Sequence, residues 1–293
     1  MKRKLSLVLV VVLSALLLIT GCSSSNQSNN SGSNSANNGA SSENVKSSGS
    51  NTFRVGMECG YAPFNWTQQG DANGAVKIEG TAEYAGGYDV EIAKRIAEGL
   101  GKELVVVKIE WDGLVPALTS GMIDAIIAGM SPTEERKQTI DFSDIYYESD
   151  LVMVVKKGSK YENATSLKDF KGAKITAQLN TFHYTVIDQI EGVNKQNAMD
   201  NFPAMRVALQ AGMIDGYVSE RPEGVSAQAA NPDFKMVEFT DGFKTSPEDT
   251  AIAVGLRKGS DLTGKINEIL KGISHEERLQ IMDQAIQNQP AAE

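Results

Sequence analysis

From residue 52 onward the apolar positions follow two alternating periods. Residues 52–56 read as a short strand, with Phe53 and Val55 on one face. Residues 89–100 carry Val90, Ile92, Ala93, Ile96, Ala97 and Leu100 at helical spacing, and Gly99 and Gly101 stop the helix. Residues 104–107 predict a buried strand, 113–120 a short helix with Asp112 as its N-cap, and 125–128 another strand. Further strands are predicted at 151–155, 173–177, 216–218, 235–239 and 251–256, with helices between them and two more over 262–287. Alternation of this kind predicts an α/β fold with mixed, mostly parallel sheets flanked by helices.

One segment repeats. Residues 117–124, Ala-Leu-Thr-Ser-Gly-Met-Ile-Asp, recur as Ala-Leu-Gln-Ala-Gly-Met-Ile-Asp at 208–215, with six of eight positions identical. Two readings stand: a common helix–glycine–strand turn arising twice, or two similar lobes with a sheet each. In open α/β sheets ligands bind beyond the carboxyl ends of strands. The residues just past each copy are Gly129-Met130-Ser131 and Ser219-Glu220-Arg221.

The first 51 residues follow neither period. Lys2-Arg3-Lys4 precedes an apolar run over 5–19, broken only by Ser6 and Ser14. That run is shorter than the ~20 residues a membrane-spanning helix needs, so residues 1–22 are expected to be a secretory signal. Its end, Leu18-Ile19-Thr20-Gly21-Cys22, resembles a bacterial lipobox, which implies diacylation of the Cys22 thiol and cleavage before it. Residues 23–51 hold 12 Ser, 8 Asn and 3 Gly among 29 positions. Such a stretch cannot bury a core, and is expected to be a disordered tether reaching on the order of 30 Å. The expected location is the outer face of the cell membrane, held there by lipid.

Charge and cysteine content narrow the function further. The chain of 293 residues carries 28 Lys and Arg against 37 Asp and Glu, a net charge of −9, which becomes −12 without Lys2, Arg3 and Lys4. That balance argues against nucleic acid as a partner and against electrostatic docking on anionic lipid. The only cysteines are Cys22 and Cys59, so a disulfide scaffold and a cysteine zinc finger are excluded. Once Cys22 is acylated, Cys59 is left as a free thiol. The two histidines, His183 and His275, sit in no zinc-site pattern, and no Walker-type loop is present. Neither a metal nor a cofactor is expected, nor a catalytic residue, because Cys59 has no identifiable base. Met122, Met130, Met205 and Met213 read as core filling.

The strand ends carry the candidate chemistry. Ser131-Pro132-Thr133-Glu134 has the pattern of a capping box with proline at the first helical position, and Arg136 follows within about one and a half turns. A guanidinium beside a helix N-terminus suits a carboxylate. The alternative is an exposed arginine on the charged run Glu134-Glu135-Arg136-Lys137. Glu220 holds the equivalent strand end and suits an ammonium; the alternative is a surface cluster of Glu220, Arg221 and Glu223. His183 either lines the cleft near Thr181 or is a polar helix residue.

Several motifs then fall in order: Phe53-Arg54-Val55-Gly56, Tyr61-Ala62-Pro63-Phe64, Gly87-Tyr88-Asp89-Val90, Trp111-Asp112-Gly113-Leu114-Val115-Pro116, Gly129-Met130-Ser131-Pro132-Thr133-Glu134-Glu135-Arg136 and Asp141-Phe142-Ser143-Asp144. Together they resemble the family 3 solute-binding proteins of polar amino-acid ABC transporters, nearest to Gram-positive lipoproteins, over residues 53–287. The resemblance implies a type II periplasmic-binding-protein fold: lobe 1 at 52–147 and 247–293, lobe 2 at 151–243, and a two-segment hinge at 148–150 and 244–246. It implies that Arg136 pairs with a ligand carboxylate. Ser131 and the Gly129 backbone then match groups that bind α-ammonium and carboxylate, Thr181 closes on the carboxylate, and Glu220 takes the ammonium where the family usually has Asp. Tyr61 and Trp111 match the aromatic positions around the ligand side chain, and Glu58 a position that is acidic in some basic-amino-acid binders. In Gln178-Leu179-Asn180-Thr181 the family's glycine is replaced by Asn180, which tolerates left-handed backbone.

The expected function is therefore the extracellular substrate-binding component of an ABC importer, a monomer that hands its ligand to permease and ATPase subunits. The expected ligand is arginine, lysine or histidine before glutamine or cystine. A different class, a periplasmic cyclohexadienyl dehydratase-like enzyme on the same fold, would need a pocket carboxylate such as Glu220 or Glu58 as general acid. A sensor domain is a third class.

Overall fold

Phe53 and Val55 are buried and alternate with the half-exposed Thr52 and Arg54, which turns one face of the first strand to a core. A computed structural model describes residues 51–290, so the expected signal, tether and Cys22 anchor lie outside the described residues, apart from Asn51.

In chain order the first half runs β1 (Thr52–Met57), β2 (Gly60–Tyr61), β3 (Asn65–Gln68), β4 (Val76–Lys77), β5 (Tyr84–Gly86), α1 (Tyr88–Gly99), β6 (Glu103–Lys108), α2 (Leu114–Thr119), β7 (Ala125–Ile126), α3 (Glu134–Lys137) and β8 (Asp141–Glu148). The second half runs β9 (Leu151–Lys156), β10 (Lys174–Thr176), α4 (Phe182–Val186), β11 (Asn194–Lys195), α5 (Phe202–Gln210), β12 (Gly216–Glu220), α6 (Arg221–Ala230), β13 (Phe234–Val237), α7 (Pro247–Thr250), β14 (Ala251–Leu256), α8 (Leu262–Lys271) and α9 (His275–Asn288).

Two five-stranded sheets form the two lobes, ordered β6-β1-β7-β14-β8 and β11-β10-β12-β9-β13. Each has two parallel pairings on one side of its central strand and two antiparallel pairings on the other. The sheets are therefore evenly mixed rather than mostly parallel. The chain passes from one sheet to the other directly between β8 and β9, and the strands beside the crossings, β8, β9 and β14, make the antiparallel pairings. A third sheet, β2-β3-β5-β4, is wholly antiparallel.

The repeated segment is structural. Its copies lead into β7 and β12, the central strands of the two sheets, through Gly121 and Gly212 at φ 81° and 72°. The aspartate ending each copy does the same work. Asp124 Oδ2 accepts from Arg54 N at 2.9 Å, and Asp215 Oδ2 accepts from Lys174 N at 2.8 Å. Met122 and Met213 are exposed, unlike the buried Met130 and Met205, because they occupy the turn just after the glycine.

Local differences from the expected elements have local causes. Asp112 does not cap α2; it lies in a 3-10 turn over Trp111–Gly113, and its carboxylate is turned to Asn180 instead. Gly99 is still helical, and the chain turns at Gly101 with φ 64°. The strand at 103–108 is only half-buried, being the edge of its sheet. Ser131 and Pro132 stay outside α3, whose N-cap is Thr133, accepting from Arg136 N at 3.4 Å.

The larger core cluster contains Phe53, Ile92, Ile96 and Ile126 and continues through Tyr61 to Phe202 and Tyr217. A second cluster covers the other face of the second sheet, around Met153, Phe170, Ile175 and Val218. Burying each such large side chain stabilises by roughly 1.5–3 kcal/mol. That fixes the strand ends from which the candidate site is built.

Candidate functional site

The ends of β1, β7 and β12 and the start of α4 bring the candidate residues together. After β1 the chain turns through Glu58 and Cys59, the latter at φ 55° with its N–H donating to Asn65 Oδ1 at 2.7 Å. This directs Tyr61 towards the second lobe. Its ring stacks on Phe202 with centroids 4.3 Å apart and planes at 9°, and its hydroxyl donates to Glu220 Oε2 at 2.7 Å. Burial first, then the Glu220 charge, pushes the Tyr61 hydroxyl well above its ordinary pKa, so it remains a donor.

Gly129, at φ 61°, lies against that ring. A Cβ there would stand 2.6 Å from Tyr61 Cε1, so close approach as well as conformation requires glycine. Ser131 is buried; its hydroxyl donates to Asp249 O at 3.0 Å, and its carbonyl accepts from Arg136 Nη1 at 2.9 Å. Arg136 Nη2 reaches the other lobe, donating to Asn180 O at 3.1 Å, and its Cζ lies 5.0 Å from the Trp111 ring centroid. Burial pulls the Arg136 pKa down to about 10, which leaves the guanidinium charged at neutral pH. Asn180 has φ 55°, and its side-chain amide donates to Asp112 Oδ1 at 2.8 Å. Thr181 holds the N-cap position of α4, but its hydroxyl donates to Gln178 O at 2.7 Å.

Glu220, the last residue of β12, is 1% exposed, and its Oε1 has no hydrogen-bond partner among the described residues. His183 Nε2 stands 3.5 Å from that oxygen, within ion-pair reach but without a hydrogen bond. Ser219 Oγ and both His183 nitrogens are likewise buried and unpartnered. An unpaired carboxylate oxygen at a buried position is costly, so it suits a cationic donor. Glu58, 4% exposed, accepts twice from Gln178 Nε2, both at 3.1 Å. Burial raises its pKa to about 7 against the pull of the Gln178 bond, with smaller upward pushes from Glu110 and Asp112.

All eight candidate residues thus stand at the junction of the two lobes. Glu223 does not form the surface cluster considered with Glu220: it is fully buried, with Oε1 accepting from Arg206 Nε at 3.0 Å, Arg206 Nη2 at 2.7 Å and Tyr217 at 3.0 Å. His183 faces Glu220. Sequence reasoning missed Phe202, Gln178 and Asp112 as contacts of the site. Their elements were legible, but contacts across 60–140 positions leave no periodic signal. A groove of about 760 Å³ is lined by Arg136, Asn180 and Thr181, and a separate cavity of about 380 Å³, open to solvent on one side, by Glu58, Gly60 and Arg206. Among the described residues no group of three or more His, Cys, Asp and Glu could hold a metal ion.

Two mixed α/β lobes meeting at polar strand ends are the fold of type II periplasmic binding proteins. The chain belongs to the bacterial extracellular solute-binding proteins, family 3, whose model matches residues 53–287. It is 28% identical over 267 residues to the arginine-binding extracellular protein ArtP of Bacillus subtilis, covering 90% of this chain and 91% of that one. It is 32% identical over 204 residues to a probable histidine-binding protein of Campylobacter jejuni, covering 68% and 73%. Among solved structures it resembles an amino acid ABC transporter substrate-binding protein from Streptococcus pneumoniae bound to L-arginine. There the TM-score is 0.72 and the identity 28%, over 81% of this chain and 94% of that one. Among the described residues no helix is long and apolar enough to cross a membrane.

Proposed function

We propose that this chain is the extracellular binding component of an ABC importer and that it captures a cationic α-amino acid: arginine, lysine or histidine. The observation that carries the α-amino-acid reading is the buried Glu220 carboxylate with one oxygen unpaired, at the same junction as the charged Arg136 guanidinium. An ammonium and a carboxylate on one carbon answer both. A cationic side chain is inferred from the further buried carboxyl of Glu58. Arg136 is assigned to the carboxylate, with Ser131, the Gly129 backbone and Thr181 beside it, and Glu220 to the ammonium. Trp111 and Tyr61 flank the side chain, and Glu58 meets its cationic end. The arginine- and histidine-binding relatives support the same ligand class.

Capture is by closure of the lobes about the crossings at 148–150 and 244–246, and a ligand drives it by binding the closed form more tightly. Ser149 N donates to Thr250 O at 3.0 Å, so the two crossings run side by side close to these segments. The protein acts as a monomer, held to the membrane through lipid on Cys22, and releases its ligand to a permease without turnover. Prephenate and arogenate incubated with it stay unchanged.

A thermal-shift screen of the twenty amino acids, ornithine and cystine tests the reading. A ligand at 100 times its dissociation constant stabilises by about 2.7 kcal/mol. Arginine, lysine or histidine is expected to give the largest shift; glutamate or aspartate giving it overturns the ligand assignment.

A further inference from the structure

The cavity of about 380 Å³ shares no lining residue with the groove at Arg136, yet Glu58 belongs to its wall. Its volume is that of a small-molecule site, roughly 300–1,000 Å³. Glu58 is also tied to the candidate site. Gln178, which donates to its carboxylate, accepts from Thr181, and Tyr61 three residues on donates to Glu220. Hydrogen bonds therefore run from Thr181 on the groove wall through Gln178 to Glu58 on the cavity wall.

We propose that this cavity is a subsite for the far end of the ligand side chain, and that the protein accepts cationic amino acids elongated or alkylated at the terminal nitrogen, such as Nω-methylated arginines, homoarginine and Nε-trimethyllysine. This rests on the reading that Arg136 and Glu220 hold the α-carbon groups. A side-chain cation meeting the Glu58 carboxylate then directs its substituents into the cavity. The walls there suit methyl groups next to a positive charge: Trp66, Pro203 and Ala230 are apolar, and an indole attracts alkylated cations. Charged groups on the walls do not oppose a cation. Arg206 is held by Glu223 at 2.7 Å, and Lys108 is offset by Glu110 on the same wall.

The test compares dissociation constants of arginine, homoarginine and Nω,Nω-dimethylarginine by calorimetry, for the protein and for Gly60→Leu and Ala230→Leu. A Cβ on Gly60 would stand 3.9 Å from Pro203, so a leucine there reaches across the cavity, and Ala230 fills it from another wall. Dimethylarginine is expected to bind within about fivefold of arginine. Either leucine variant is expected to weaken dimethylarginine more than about twentyfold and arginine less than about twofold. If arginine binds and dimethylarginine is more than about thirtyfold weaker, the subsite is wrong and the ligand reading stands. Equal weakening of both ligands by both variants also overturns the subsite. If no cationic amino acid binds at all, both the ligand reading and the subsite fail.

Discussion

Glu58→Gln removes one charge from the junction and leaves its shape nearly unchanged. In the folded protein burial holds the Glu58 carboxyl at about 7 rather than 4.5. Below 4.5 the group is protonated whether the chain is folded or not. Between 4.5 and 7 the unfolded chain releases the proton and the folded chain keeps it. Stability therefore falls as pH rises through that window, by about 3 kcal/mol in all, and is level above 7. Binding of a cation runs the other way, because only the carboxylate attracts it. Roughly a tenth of Glu58 is ionised at pH 6 and nine-tenths at pH 8, so arginine affinity rises about tenfold, or about 1.4 kcal/mol. Titration calorimetry at pH 6, 7 and 8, in two buffers of different ionisation enthalpy, reads both the affinity and the proton released. Wild type is expected to release about 0.9 proton at pH 6 and about 0.1 at pH 8. Glu58→Gln is expected to bind arginine more weakly at pH 8 and with no pH slope. A flat wild-type profile, or a slope that persists in Glu58→Gln, refutes the charge assignment.

Other outcomes follow from the same geometry. Arg136→Lys keeps the charge but loses the planar fork, and arginine binding is expected to weaken well over tenfold by calorimetry, since breaking a desolvated charged pair costs about 2–5 kcal/mol; a change under about twofold contradicts the assignment. Arg206→Ala strands the fully buried Glu223, at a cost of about 3–5 kcal/mol, read in a scanning calorimeter as a fall in Tm on the order of 10 °C. Burial pushes the Cys59 thiol up to about 12, so a disulfide reagent at pH 8 is expected to label it only after denaturant is added. Small-angle scattering is expected to show a smaller radius of gyration with arginine bound; an unchanged radius argues against the hinge.

Much of the architecture was legible because its strands and helices are continuous apolar patterns. The helix over Tyr88–Gly99 buries Val90, Ile92, Ala93, Ile96 and Ala97, the positions its spacing named. Asn180 takes the left-handed conformation expected where the family has glycine. What escaped was set by partners rather than by period. The strand Asp141–Glu148 reads as polar because Tyr146 is its only fully buried residue, and its pairing with β14 is bulged. The small sheet is made of strands of two to four residues, too short to show alternation. Glu223 looked like surface charge because nothing in its neighbourhood announces Arg206 and Tyr217. His183 lay two residues from a named position, but only the folded chain turns it to Glu220.

Recognition of an α-amino acid by Arg136 is tested most directly with a ligand pair that differs only at the α-carbon. Agmatine is arginine without its carboxylate. Calorimetric titration of the protein with both is expected to give tight arginine binding and agmatine at least about thirtyfold weaker, the loss of a desolvated charged pair worth about 2 kcal/mol or more. Agmatine binding as tightly as arginine would contradict the assignment of Arg136 to the ligand carboxylate.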